Sequence, residues 1–231
     1  MNSAEILLAG SDITLPQLEA IELEAMPVYE QVLCLAAILK NCHSDDILPA
    51  LKKRQAGLNS LAAHSLNLAD AQKPIMNKIS IAHGGTAPYK VWLHAYSETE
   101  QSADHKPVYV ERFHNHRHGL ASLILRGGYT ADEYRLKDPK NHQPWAGDFS
   151  LEEWSDLQNS LMLQTAIYRP GDVMYIHPDE THRLRGILPG TKTFVLETPV
   201  IRNYSVGFTN KAAHIIIPDM VRVREQSFEF E

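Results

Sequence analysis

Cysteine is scarce in this chain: only two of its 231 residues are cysteine. The spacing of Cys34 and Cys42 fits neither a CxxC redox pair nor a zinc knuckle, so both are read as reduced structural thiols. Long apolar runs are also missing. The longest, Val32 to Leu39 and Leu120 to Leu125, fall far short of the roughly 20 residues that a membrane-spanning helix needs. No basic stretch leads into an apolar segment at the N-terminus, so the expectation is a cytoplasmic protein without a membrane partner. Positive charge is not in excess either, with 22 Lys and Arg against 28 Asp and Glu and a formal net charge of -6. Without a basic stripe to meet phosphates, a nucleic-acid partner is not expected. The chain has no GxSxG elbow, no Walker loop and no GxGxxG after a strand, which sets aside the common hydrolase and nucleotide-binding classes. His83-Gly84-Gly85-Thr86 is glycine-rich, but it leads into Pro88 rather than a helix and reads as a loop. Glu111 and Asp132-Glu133 have no partner that the sequence identifies, and Cys34 is remote from the histidines in sequence.

What is present is an ordinary globular composition, 44% hydrophobic and 22% charged, enough for one large domain or one domain with an appendage. From Thr14 to about Asp70 the period is helical. Thr14 and Gln17 form a capping-box pair with Pro16 in the first turn, and Leu18, Ile21, Met26, Tyr29, Val32, Leu33 and Leu39 recur at three-to-four spacing. A second helix is expected from about Ser44 to Asp46, carrying Leu51, Leu58, Leu61 and Leu66. From about Lys78 the texture changes to short β-prone runs bounded by Gly, Pro, Asn and Asp. Strands are expected near 89–96, 107–117, 120–126, 128–135, 164–169, 172–177, 182–187, 192–199, 202–208 and 213–217. Many short strands mean a sandwich or barrel. The division expected is a helical segment, 1–75, packed on a β-barrel, 76–218, with a tail at 219–231. Residues 137–159, with Trp145 and Trp154, read as a long loop with a short helix over the barrel mouth.

The chemistry concentrates in His114-Asn115-His116-Arg117-His118, answered some sixty residues later by Pro170-Gly171-Asp172 and His182. On a strand, residues two apart share a face, so His114, His116 and His118 can project into one cavity. Imidazole suits borderline divalent metals, and open positions opposite the protein ligands can take a substrate. Candidates facing the same cavity by parity are His118, Ser122, Tyr175, His177 and Arg126. His118 reads equally well as a solvent-facing residue at a strand end, and His177, beside Pro178, as a loop histidine. His94 is a lone strand histidine. Arg112, Arg126, Arg183, Arg185 and Arg202 lie on core strands or at their ends, where one could meet a substrate carboxylate with its planar fork.

These residues resemble the cupin superfamily, a jelly-roll β-barrel with two motifs. The first is HxH, four residues, usually Glu, six residues and Gly; the second is G, five residues, Pro-x-Gly, two residues and His. His114 and His116 match HxH, Ala121 falls where the Glu would be, and Gly128 falls on the closing Gly. With His116 and His118 as the pair, the closing position would be Thr130. In the second motif Gly171 opens, His177 replaces Pro, Asp179 replaces Gly, and His182 takes the ligand position. The run Ser122 to Tyr129, SLILRGGY, is similar to a group of uncharacterised cupins with HxH followed by SLILxGGY, with Thr193 to Phe208 as the matching closing strands.

The resemblance implies an all-β jelly-roll (cupin) barrel with an α-helical N-terminal segment, and a metal held by His114, His116 and His182 without the usual carboxylate. Such a neutral three-histidine face is similar to that of the thiol dioxygenases, including cysteine dioxygenase. Three imidazoles leave the metal its full charge and about three open positions if octahedral, which suits Fe(II) chemistry with a substrate and O2. His118, Tyr175 and Arg126 are the expected catalytic residues. Three readings share the site: an Fe(II) dioxygenase or oxidase acting on a small amino-acid-like or thiol substrate, a Lewis-acid isomerase or lyase using Zn, Mn or Ni, and a non-catalytic small-ligand-binding barrel. Oligomeric state is left open; the resemblance implies homodimers paired through edge strands, with the N-terminal helices as an extra surface.

Overall fold

Pro27 decides where the first described helix begins. A computed structural model describes residues 23–41, 63–65, 76–82, 90–96, 113–147, 156–157, 159–209, 212–216 and 224–226. A 3-10 turn, Leu23–Ala25, precedes α1, Val28–Asn41. The pyrrolidine ring restricts Met26 and cannot continue a helix from behind, but its fixed φ suits a first turn. The helical stripe running from Leu18 past Met26 is therefore not one continuous helix, and Thr14 to Ile21 lie outside the described residues. Glu30 in the first turn and Lys40 in the last match the helix dipole.

The strands are β1 (Ala63–Ser65), β2 (Met76–Ala82), β3 (Lys90–Tyr96), β4 (Phe113–His114), β5 (Leu120–Arg126), β6 (Tyr129–Leu136) and β7 (Leu161–Tyr168). They continue as β8 (Val173–Ile176), β9 (Thr181–Arg185), β10 (Lys192–Glu197), β11 (Ser205–Thr209), β12 (Ala212–Ile216) and β13 (Arg224–Gln226). They form two antiparallel sheets, ordered β13-β1-β2-β3-β10-β5-β8 and β12-β11-β4-β9-β6-β7. Counting β3 to β10 as one to eight, the inner order is 1-8-3-6 over 2-7-4-5. That is the strand order of an eight-stranded jelly roll. β1 and β13 pair with each other and so carry the first sheet past both expected domain boundaries. Ala63–Ser65 lies where a helix was expected; pairing with β2 and β13 overrides local propensity there.

Alternation places the core. On β5, Leu120 and Ile124 face Tyr96, Tyr129, Ala131, Met174, Ile176, Leu184 and Val195 inside the barrel. Ala121, Leu123 and Leu125 face outward, onto Leu35, Leu39 and the other apolar residues of α1. Both faces of β5 are covered, which is why Leu120 to Leu125 is apolar at every position but Ser122 rather than alternating. The β5–β6 turn needs its two glycines. At Gly127, with φ 75°, a Cβ would lie 2.3 Å from Thr191 Oγ1, and at Gly128, with φ 145°, 2.4 Å from the Tyr168 carbonyl oxygen.

The strand expected at 107–117 is, among the described residues, only Phe113–His114, and residues 115–119 are irregular. Asn115 explains the break. Its buried Oδ1 accepts the Val206 N–H at 2.7 Å, so a side chain stands in for the ladder. Within 137–159, residues 137–147 form turns and loop and 156, 157 and 159 are helical, while Trp154 lies outside the described residues. Among the described residues no helix is long and apolar enough to cross a membrane. Cys34 is a buried free thiol in the helix–sheet interface, where burial pushes its pKa up to about 11. Cys42 lies outside the described residues.

Candidate metal centre

β4, β9 and the irregular segment after β4 bring three histidines together. His114 and His182 sit opposite each other in the β4–β9 pairing, and His116 arrives from the 115–119 segment. Ring centroids are 5.0 Å apart for His114 and His116, 4.7 Å for His114 and His182, and 5.1 Å for His116 and His182. One nitrogen from each ring lies within 4.8 Å of the others. His116 Nε2 and His182 Nε2 are 2.9 Å apart. Two ligands at right angles on one ion, each bonded at about 2.1 Å, would be about 3.0 Å apart, so this pair is spaced as two ligands of one ion would be. His182 is held neutral, its pKa well below the usual range. Burial is the largest cause, followed by the neighbouring His114 and the Arg135 charge. A neutral ring offers the lone pair that a metal needs.

The expected helpers end up in three different places. His118 is buried beside the trio, its ring 5.8 Å from that of His116, and its Nε2 lies 3.3 Å from Glu197 Oε1. Tyr175 does not face the cavity. It pairs with Ala121 and packs in the outer, helix-side cluster, because Met174 and Ile176 take the inward positions of β8. Arg126 is exposed at the far end of β5. Six positions of strand, about 20 Å, separate it from Leu120 at the end near the histidines. Ala121 is buried on the outer face, so that position supplies nothing to the cavity. Ser122 is buried and pairs with the inward Met174, and His94 is half-buried on β3.

Among the five arginines singled out in the sequence, Arg183 and Arg185 bind Asp132 on the outer face of β6 and β9, and Arg112 lies outside the described residues. Arg202 is the one that turns inward. Its side chain is 0% exposed and bonds the His116 carbonyl at 2.7 Å.

A second polar group next to His182 is Glu133, for which the sequence identified no partner. Glu133 pairs with His182 across β6 and β9, shares the inward face with Ala131, and is 0% exposed. Its carboxylate accepts from Tyr168 Oη at 2.8 Å, Arg135 Nε at 3.0 Å and Gln164 Nε2 at 3.0 Å. Arg135 also binds Glu180 at 2.7 Å and the Tyr175 carbonyl, and its guanidinium lies over the Tyr175 ring. The available signal was parity: Ala131, Glu133 and Arg135 alternate on one face of a strand whose other inward residues are apolar.

A second cluster, His142, His177 and Asp179, has ligand atoms equally close together, but its hydrogen bonds leave little for a cation. Asp179 Oδ2 accepts from His142 Nε2 at 2.8 Å and Trp145 N at 2.9 Å, and its Oδ1 accepts from Arg202. His177 Nδ1 accepts from the Asp179 N–H at 3.2 Å, which places the ring proton on Nε2. Burial pushes the pKa of His177 down to about 4, helped by His142 and Arg202 and opposed by Asp179. His177 is therefore a buried neutral ring that is not one of the trio.

No protein-family model matches the chain, and no curated protein matches it. Solved structures do. KdgF from Halomonas sp. is similar at 13% identity, over 56% of this chain and 85% of that one, with a TM-score of 0.34. DMSP lyase DddQ from Ruegeria pomeroyi is similar at 12% identity, over 86% and 72%, with a TM-score of 0.36. Rru_A2000 from Rhodospirillum rubrum, a cupin-2 domain, is similar at 12% identity, over 60% and 68%, with a TM-score of 0.37. The jelly-roll assignment rests on the strand order and not on these likenesses.

Proposed function

We propose that this jelly-roll chain is a mononuclear metal-dependent enzyme in which His114, His116 and His182 hold one ion. The observation that carries this reading is the convergence of three imidazole nitrogens with no carboxylate among them. Fe(II) is the first choice of metal. When bound, it would supply the redox chemistry for oxidising a small amino-acid-like or thiol substrate with O2. The chain's own residues bind and orient. Sheet pairing fixes His114 and His182, and burial keeps His182 neutral. The Glu133–Arg135–Glu180 network holds its charges paired beside His182, so the cavity keeps its shape without an orphaned ion.

A second reading has its own support in the His118–Glu197 pair. A carboxylate-backed imidazole beside the ligands is a general acid or base, the group that an isomerase or lyase needs when Zn, Mn or Ni acts as a Lewis acid. Metal content after purification without chelators, followed by oxygen uptake with cysteine-like thiols and small acids, separates the two. Iron with substrate-dependent oxygen uptake supports the first reading. A flat oxygen trace with iron fully loaded sinks it, and activity with zinc in the absence of oxygen supports the second.

A further inference from the structure

The three histidines are not held alike. His114 and His182 sit on paired strands, but His116 lies on the irregular 115–119 segment, where the backbone bonds go to its neighbours, Asn115 to Val206 and Arg117 to Ile201. Arg202 adds a tie at His116 itself. From one fully buried guanidinium, Nη2 donates to the His116 carbonyl at 2.7 Å and to the Pro178 carbonyl at 2.5 Å. Nη1 donates to the Trp145 carbonyl at 2.9 Å and to Asp179 Oδ1. Asp179 answers by accepting the Trp145 N–H and His142, and Tyr204 Oη donates to the Gly147 carbonyl at 2.7 Å. One cation thus joins the His116 segment, the turn that leads into β9 and His182, and the 142–147 loop.

We propose that Arg202 is the positioning residue of the three-histidine site, setting His116 against His182 and tying the 142–147 loop to both. This rests on the metal reading of the trio. It also explains the second cluster, whose Asp179 oxygens are committed to Arg202, His142 and Trp145 rather than to a cation. Lysine cannot replace Arg202, because a single ammonium cannot reach four acceptors on three segments in one plane.

The test titrates Zn2+ and Co2+ into the wild-type chain and into Arg202→Lys, His116→Ala and His142→Ala. The wild type should take one ion per chain, lost in His116→Ala and kept in His142→Ala. Arg202→Lys should bind that ion about 10- to 100-fold more weakly, with displaced Co2+ visible bands. A role in folding alone would lower the melting temperature of the metal-free variant and leave the Co2+ bands where they were, which overturns the proposal. So does a second ion per chain that His142→Ala removes. If Arg202→Lys does not fold, the Nη–Hη resonances of the wild-type Arg202 should shift on adding Zn2+, and unmoved resonances overturn the proposal. A wild type that binds no ion is a separate failure: the metal reading falls, and the positioning role with it.

Discussion

Replacing Glu133 tests whether the buried network beside His182 is held by charge or by hydrogen-bond geometry. The carboxylate is 0% exposed and accepts three donors, from Tyr168, Arg135 and Gln164. In Glu133→Ala all three lose their acceptor, at unequal cost. Gln164 is exposed and regains water. Arg135 keeps Glu180 at 2.7 Å, so its charge is not orphaned, but its Nε–H is. The half-buried Tyr168 hydroxyl is stranded as well. Two unsatisfied groups at about 1–3 kcal/mol each give a loss of about 2–6 kcal/mol, a range that includes the cost of breaking a buried pair. In Glu133→Gln the amide oxygen can accept from Arg135 and Gln164 while its NH2 donates to the Tyr168 oxygen. The bonds survive and only the charge goes, which costs about 1–2 kcal/mol. Urea unfolding followed by circular dichroism, with an unchanged m-value, reads both numbers. Equal losses for Ala and Gln would refute the hydrogen-bond account, and a loss below about 1 kcal/mol for Ala would refute the network as a stabilising feature.

His116→Ala should abolish tight binding of a single metal ion while leaving the far-UV spectrum intact; unchanged metal content would show the site to be misassigned. Asp132 should give a pH-dependent contribution to stability. Its partial burial pushes its pKa up, but hydrogen bonds from Arg185, Thr165 and Arg183 outweigh that and hold it at about 2, from 3.8. The folded pKa is depressed, so the stabilisation is full above about pH 4 and is lost as the pH falls toward 2. Unscreened, the shift corresponds to about 2.5 kcal/mol; with the two arginine side chains 34% and 43% exposed, about 1 kcal/mol is expected. Asp132→Asn should therefore cost about 1 kcal/mol at pH 7 and almost nothing at pH 2, measured by thermal unfolding across pH. Gly128→Ala should cost about 2–3 kcal/mol, because the new Cβ meets a backbone carbonyl oxygen rather than a movable side chain, and a loss under about 0.5 kcal/mol would show that the turn relaxes freely.

Strand positions were legible because alternation and turn residues are local. The run 120–126 is β5 residue for residue, and 89–96, 128–135, 172–177 and 192–199 each match a strand to within one or two residues at either end. The misses share a cause: the deciding partner lay elsewhere in the chain. Ala63–Ser65 is a strand because β2 and β13 flank it, and residues 115–119 leave the sheet because Asn115 bonds Val206. Tyr175 was expected to face the cavity by parity, but the packing of β8 turns Met174 and Ile176 inward and leaves Tyr175 on the helix side.

The resemblance to the two cupin motifs, with Gly128 setting their register, picked out the three rings that meet in space, whereas strand parity alone left His118 level with His114 and His116. What surrounds those rings was not in the spacing. His118 found Glu197, His182 found Glu133 and Arg135, and Arg202 was selected from five arginines, through pairings between residues far apart in sequence. Periodicity says which face a side chain takes within one strand, whereas only the closed barrel decides which charges share a dry interior and must pair there.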